Sequence, residues 1–216
     1  MIRVMVADDH HLVRQGIRAL LEKQPGIEVV WEARDGQEAL DYCIQIEPDV
    51  LVLDINMPRL NGIEVIQRLS AAALRTRVVI LSMYSDESLV KRALLNGALG
   101  YLLKKSITED LLAAIQAARR GEKFVSPELA YLLEAEFDQN PDASQVDAFD
   151  RLSAREREVC QLVASGLTNQ AIASRLCISV KTVEKHRANL MVKLGVQDVA
   201  SLIRESIRHG IVFLDE

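Results

Sequence analysis

The chain has 216 residues, of which 49% are hydrophobic and 26% charged, with a formal net charge of −5. This composition belongs to a packed globular protein rather than a disordered one. No apolar stretch approaches the roughly 18 uninterrupted residues of a membrane span, and Met1-Ile-Arg-Val-Met-Val lacks the pattern of a signal peptide.

Apolar runs at 3–7, 28–33, 49–54, 77–82 and 100–103 predict five strands. Helical patterns lie between and after them, at about 11–23, 36–46, 61–70, 85–96 and 107–120. Strands alternating with helices of this length predict an α/β domain with a five-stranded, parallel, doubly wound sheet. Val50–Leu53 and Val78–Leu81 are apolar at every position, as strands buried on both faces are. Pro25-Gly26 and Glu47-Pro48 break helices before strands. Ser106-Ile-Thr-Glu109 has capping-box spacing, and Ser126-Pro127 opens a further helix expected to run to about Phe137.

Residues 138–150 are polar, acidic and contain Pro141, and read as a linker. Beyond them the pattern is wholly helical, at about 153–165, 168–176, 179–194 and 198–209, an all-α four-helix unit. Ser153-Ala-Arg-Glu156 has capping-box spacing, and Gly166, Gly195 and Gly210 each follow a helical run as C-terminal glycines do. The expected organisation is a domain at 1–122, a connecting helix and linker at 123–150, and a second domain at 151–216. Charge follows the same division. Residues 1–150 hold 16 Lys/Arg against 24 Asp/Glu; residues 151–210 hold 10 against 5, and 211–216 add two acids. An acidic first part and a basic second part predict different partners. The three cysteines are odd in number and widely spaced, with Cys43 and Cys160 in apolar helical patterns, which favours free buried thiols and a reducing cytoplasm.

In a parallel sheet the carboxyl ends of the strands share one edge, where open α/β sheets place their sites. Asp8-Asp9 ends the first run, Asp54 the third and Ser82 the fourth, while Lys104 follows the fifth. Three carboxylates, a hydroxyl and an ammonium would then share a pocket. A carboxylate can attack a phosphoryl phosphorus once their mutual repulsion is neutralised, which Mg²⁺ does by bridging protein and phosphoryl oxygens. Each residue alone also has a plain structural role, as a helix cap or a solvated lysine; the order of all of them together points to the site. His10-His11 raises a transition-metal alternative, but no further histidine or cysteine stands at ligand spacing, which favours a hard cation.

Asp8-Asp9-His10, Asp54-Ile-Asn-Met-Pro58 with Gly62, Ser82, and Gly100-Tyr-Leu-Leu-Lys104 resemble the receiver domain of two-component response regulators over residues 2 to about 122. The resemblance implies phosphorylation of Asp54 by a sensor histidine kinase. It implies a Mg²⁺ site formed by Asp8, Asp9, Asp54 and the Asn56 carbonyl. It makes Lys104 the phosphoryl-contacting lysine and Ser82 with Tyr101 the switch pair. Two positions depart from the usual pattern. Lys105 stands where many receivers have proline, so the sequence does not assure a cis peptide there. Met83 stands where many carry a smaller residue, and its thioether is expected to obstruct water and slow self-dephosphorylation.

In the second part, Val183, Leu190 and Leu194 share one face of the helix at 179–194, with Val180 and Met191 at its margins. Lys181, Glu184, Lys185 and Ala188 share a different face with no large apolar residue. With the short Cys177-Ile178 connection this is a helix-turn-helix arrangement. Leu152-Ser-Ala-Arg-Glu-Arg-Glu-Val159, Gly166-Leu-Thr-Asn-Gln-Ala-Ile-Ala173, Val180-Lys-Thr-Val-Glu-Lys-His186 and Lys193-Leu-Gly195 resemble the LuxR-type DNA-binding domain over about 151–210. The resemblance implies that 179–194 enters the major groove of double-stranded DNA. Glu184, Lys185 and Ala188 would face bases, and Lys181, Thr182 and Asn169 would lie near phosphates. Arg187 is expected on the core side. Val199, Ile203 and Ile207 form a stripe that either completes the core or makes a dimer seam, with the spacing favouring the core.

Both resemblances in this order imply a cytoplasmic regulator of the NarL/FixJ type, not an enzyme, that dimerises or releases its helix-turn-helix domain on phosphorylation. A phosphatase with an aspartyl-phosphate intermediate is the enzymatic rival, disfavoured because Asp54-Ile-Asn56 lacks a second acid. A DNA-binding protein whose first domain only docks other proteins is the other rival.

Overall fold

The computed structural model describes residues 1–133 and 152–208. The chain divides into two compact units, Met1–Gln139 and Asn140–Glu216. The expected linker at 138–150, the end of the helix near Phe137, and Gly210 lie outside the described residues.

In the first unit, strands β1 (Ile2–Ala7), β2 (Ile27–Ala33), β3 (Val50–Asp54), β4 (Arg77–Ser82) and β5 (Ala98–Leu103) alternate with helices α1 (His11–Leu21), α2 (Gly36–Ile46), α3 (Gly62–Ala71), α4 (Glu87–Leu95) and α5 (Ile107–Arg120). The sheet is parallel, as the alternation predicts, but it has six strands where the sequence pattern shows five. Phe124–Val125 forms β6, giving the order β2-β1-β3-β4-β5-β6. Two residues carry no periodicity that a sequence reading can detect. They pair because Gly100 and Tyr101 leave the outer edge of β5 open to them.

The core follows from the apolar runs. Every residue of β3 is buried, and Val4, Val6, Val52, Val79 and Leu81 pack against Ile17, Leu21, Leu111 and Ile115 from α1 and α5. Successive strands are added to one side of β1 as far as β2 and to the other side from β3 onward, and such a switch point between β1 and β3 leaves a crevice at the carboxyl ends of those parallel strands. Asp8 and Asp54 stand there.

Local chemistry fixes the loops around that crevice. The Asn61 side chain accepts from the Glu64 amide, and the Glu64 carboxylate accepts from the Asn61 amide, a complete capping box for α3. The Gly62 amide donates to the Ile55 carbonyl at 2.9 Å, an approach so close that a Cβ at Gly62 would lie 2.8 Å from the Ile55 Cα. The expected capping box at Ser106 does not form. Residues Lys104–Ser106 make a 3₁₀ turn, Ser106 has φ −106° and ψ 12° where a capping residue is extended, and its hydroxyl donates back to the Leu103 carbonyl. The proline of Ser126-Pro127 does open a helical turn, the 3₁₀ segment Pro127–Leu129.

The second unit contains α6 (Ala154–Ala164), α7 (Asn169–Leu176), α8 (Val180–Leu194) and α9 (Val199–Arg208). Its core is Leu152, Val159, Cys160, Val163, Ile172, Ala173, Val183, Leu190 and Leu202. The capping box of Ser153 and Glu156 is present, and Gly195 ends α8 in the left-handed conformation. Cys177 turns the chain between α7 and α8 at φ +52°. The stripe on α9 is not the core face. Val199 is 38% exposed and Ile203 and Ile207 are half-buried, while Leu202 and Ser206 are fully buried. Ser206 belongs in the core because its hydroxyl is satisfied, donating to the Leu202 carbonyl and lying 3.3 Å from Cys160 Sγ.

Candidate functional site

Asp8, Asp9, His10 and Asp54 offer ligand atoms that all lie within 4.8 Å of one another. Asp8 and Asp54 are buried, Asp9 is exposed, and each reaches the cluster because its strand ends at the crevice. Lys104 Nζ lies 2.8 Å from Asp8 Oδ2 and 2.8 Å from Asp54 Oδ2. Burial and the Asp8 carboxylate push the Asp54 carboxyl up to about 7, against the opposing pull of Lys104. Burial works against the Lys104 charge, but Asp54 and Asp8 together hold its ammonium above the usual lysine range. One ammonium therefore does not compensate the buried carboxylates. The surplus is negative charge on hard oxygen atoms in a small pocket, and this donor set fits Mg²⁺.

The other expected members converge on the same edge. The Asn56 amide donates to Asp54 Oδ1 at 3.2 Å. Ser82 and Tyr101 are both fully buried. They meet at Tyr84, whose amide donates to Ser82 Oγ at 3.0 Å and whose carbonyl accepts from the Tyr101 hydroxyl at 2.8 Å. Burial pushes the Tyr101 phenol upward, so it remains a donor throughout the physiological range. Met83, between these two groups in sequence, is 67% exposed. The peptide joining Lys104 to Lys105 is trans.

Arg14 and the pair of Asp35 with Arg59 escaped the sequence reading, and His10 entered it only as a disfavoured transition-metal ligand. His10 Nδ1 lies 2.8 Å from Asp9 Oδ1 and 3.1 Å from Asp8 Oδ1, so the histidine set aside as a metal ligand borders the acids. Arg14 Nη1 donates to the Asp8 carbonyl at 2.6 Å; its spacing of one helical turn from His10 is the signal that identifies it. Asp35 caps α2 and pairs with Arg59 from the β3–α3 loop, fastening the segment that follows Asp54. No local pattern reveals that pair, because its members are 24 residues apart.

In the second unit, Lys181, Glu184, Lys185 and Ala188 are exposed on α8 and Thr182 is half-exposed, opposite the buried Val183 and Leu190. Arg187 is half-buried and donates to the Asn169 side-chain oxygen at the start of α7. That contact joins the first turn of α7 to the middle of α8. Lys193 Nζ lies 2.6 Å from Glu156 Oε2, joining the end of α8 to the capping box of α6.

Residues 4–116 match the family model described as the response regulator receiver domain, and residues 150–206 match that of the bacterial regulatory proteins of the luxR family. The chain belongs to the two-component response regulators of the NarL/FixJ type. This response regulator is 37% identical over 215 residues to the oxygen regulatory protein NreC of Staphylococcus aureus strain JH9, covering 98% of this chain and 99% of that protein. Its fold is similar to that of the two-component response regulator RcsB in complex with DNA, with a TM-score of 0.58 and 30% identity over 94% of this chain and 96% of the other. It is also similar to the receiver domain of the putative response regulator NarL from Mycobacterium tuberculosis, with a TM-score of 0.55 and 36% identity over 56% of this chain and 98% of the other.

Proposed function

We propose that this response regulator is a transcription regulator switched by phosphorylation of Asp54, and that it acts on double-stranded DNA through α8. The observation that carries this reading is the convergence of Asp8, Asp9 and Asp54 with Lys104 at the sheet's switch point. A sensor histidine kinase supplies the phosphoryl group. Asp54 Oδ attacks phosphorus, an O–P bond forms, the N–P bond of the phosphohistidine breaks, and the imidazole nitrogen leaves with the electron pair. Asp8, Asp9, Asp54 and the Asn56 carbonyl would hold Mg²⁺, which supplies charge neutralisation between the acceptor and the phosphoryl oxygens. Lys104 contacts a phosphoryl oxygen as a point charge, and Ser82 donates to another.

The added group brings about −1.5 to −2 charges to the pocket at neutral pH. It favours whichever arrangement of Ser82, Tyr84 and Tyr101 satisfies those charges best, and only that difference can shift a conformational equilibrium. Tyr84 accepts from Tyr101 and donates to Ser82, so a movement of Ser82 towards the phosphoryl group releases the Tyr84 amide and disturbs both residues.

On DNA, Glu184, Lys185 and Ala188 meet base edges, and Lys181, Thr182 and Asn169 lie near phosphates. Arg187 acts as a strut holding Asn169, not as a reader. The Val199, Ile203 and Ile207 stripe, left outside the core, serves as a seam between two copies on paired half-sites. The protein works in the cytoplasm, where kinase output and DNA meet; among the described residues no helix is long and apolar enough to cross a membrane. Its role is non-enzymatic, because the acceptor two residues before Asn56 has no second acid at that position to act on a leaving group.

Incubation with Mg²⁺ and acetyl phosphate tests the reading. Intact-mass measurement is expected to show one hydroxylamine-labile phosphoryl group on the wild type and none on Asp54→Asn, with tighter binding to a two-half-site DNA after labelling. A wild-type chain that acquires no labile group contradicts it.

A further inference from the structure

β6 and the turn that follows it lie against the strand end that carries Lys104. The Ser126 amide donates to the Tyr101 carbonyl at 3.0 Å, continuing the ladder by one bond beyond the two paired residues. The Ser126 hydroxyl then replaces the ladder, accepting from the Leu103 amide at 3.0 Å. Ser126 is 1% exposed, and Val125, Leu129 and Leu132 of the same segment are also buried, so water does not compete for these bonds.

The protons in this cluster can be assigned. The Ser106 hydroxyl donates to the Leu103 carbonyl at 3.1 Å, which uses its single proton. The contact of 3.0 Å between Ser106 Oγ and Ser126 Oγ therefore has Ser126 as donor. The result is a closed ring: the Leu103 amide donates to Ser126, Ser126 donates to Ser106, and Ser106 donates to the Leu103 carbonyl. That carbonyl belongs to the peptide group shared with Lys104. Both peptide planes flanking Leu103 are thus fixed by two hydroxyls, one from the turn after β5 and one from the residue that follows β6.

We propose that Ser126 is a positioning residue for phosphoryl transfer, setting the direction of the Lys104 side chain through this ring. The proposal rests on the reading of Asp54 as phosphoacceptor. Lys104 must reach across the crevice to bring Nζ 2.8 Å from both Asp8 and Asp54, and it leaves the backbone at the first residue of a single 3₁₀ turn. A turn of that length has little helical cooperativity to hold its geometry. The ring supplies the missing constraint. It also makes the segment that continues towards the second unit a part of the phosphoryl site: a change at Lys104 and Tyr101 reaches residues 124–132 through bonds already formed. The outer pair of Lys105 with Glu128, 2.7 Å apart, is exposed on both sides and adds little.

The experiment follows the initial rate of labelling of the full chain against acetyl phosphate concentration at saturating Mg²⁺. Ser126→Ala is expected to lower the saturating rate about tenfold, since misplacement of one charged group by a fraction of an ångström acts on the transition state. Mg²⁺ affinity by titration calorimetry is expected to stay unchanged, because Asp8, Asp9 and Asp54 are untouched. Ser126→Thr keeps the hydroxyl and is expected to restore the rate. Ser106→Ala opens the same ring from its half-buried side and is expected to reproduce the loss if Ser126→Ala folds poorly. In a Lys104→Ala background, Ser126→Ala is expected to have no further effect. Equal rates for wild type and both alanine variants, with only a fall in Tm, overturn the proposal. The same tenfold loss in the absence of Lys104 also overturns it. A wild type that takes no phosphoryl group fails the parent reading instead, and this one with it.

Discussion

Lys104 Nζ and Asp54 Oδ2 are 2.8 Å apart, and the same nitrogen is 2.8 Å from Asp8. The lysine therefore bridges the proposed acceptor and the neighbouring acid of the proposed cation site. Its charge holds down a carboxyl that burial and Asp8 otherwise raise. Lys104→Ala is expected to slow labelling of Asp54 by acetyl phosphate on the order of a hundredfold, the scale for loss of one preorganised charge at a reacting group. An unchanged initial rate in a quench-flow assay would place the lysine outside the transfer step.

The raised carboxyl of Asp54 makes stability depend on pH in a defined direction. In the folded chain burial and Asp8 push it up to about 7, against 3.8 for an ordinary aspartate. Between those values the folded state binds more protons than the unfolded one, so this contribution to stability falls as pH rises. Asp54→Asn removes it. Without Mg²⁺ the variant is expected to melt above the wild type at pH 8, by roughly 2–4 °C for each kcal/mol of relief. The gap should narrow towards pH 5 and shrink when Mg²⁺ is added. Melting curves with a gap independent of pH would refute the assignment.

Met83 follows the buried Ser82 yet is 67% exposed, so its thioether is available to cover the approach to Asp54 without serving the core. Met83→Ala is expected to speed loss of the phosphoryl group severalfold in a chase after donor removal, with little effect on Tm. An unchanged decay rate would leave the side chain without a role in dephosphorylation.

Glu184 and Lys181 are both exposed on α8 but are expected to fail differently. Glu184 can accept from a cytosine amino group, so Glu184→Ala should change affinity at one base pair by about 1–3 kcal/mol. Lys181→Ala should weaken all sequences alike and reduce the salt slope by about one. Binding to a panel of single-base variants separates the two, and a uniform loss for Glu184→Ala would remove it from the base-reading set.

The acids, the lysine and the five main strands were legible because each is tied to a local signal: an apolar run, a strand end, a helix cap. Parallel topology then dictates that strand ends share an edge, which is why Asp8, Asp54 and Lys104 can be joined from positions far apart in the chain. Where local signals compete, the sequence is silent. The α9 stripe has the spacing of a core face, yet Leu202 and Ser206 take that place, because Cys160 and the Leu202 carbonyl offer Ser206 the bonds that burial demands. Ser106 has capping-box spacing, yet its hydroxyl turns to Leu103.

By itself, then, the sequence determined which chemistry the chain carries, since strand-end acids and a basic helical face are properties of residue type and period. The tertiary structure decided what holds that chemistry in place. Tyr84 bridges Ser82 and Tyr101, Arg187 braces Asn169, and Ser126 crosses from β6 to the backbone before Lys104. Tyr101 and Ser126 reach backbone groups that the strand ladders leave open, while Arg187 and Asn169 meet side chain to side chain. Such groups find partners by proximity in space, and no spacing along the chain encodes it.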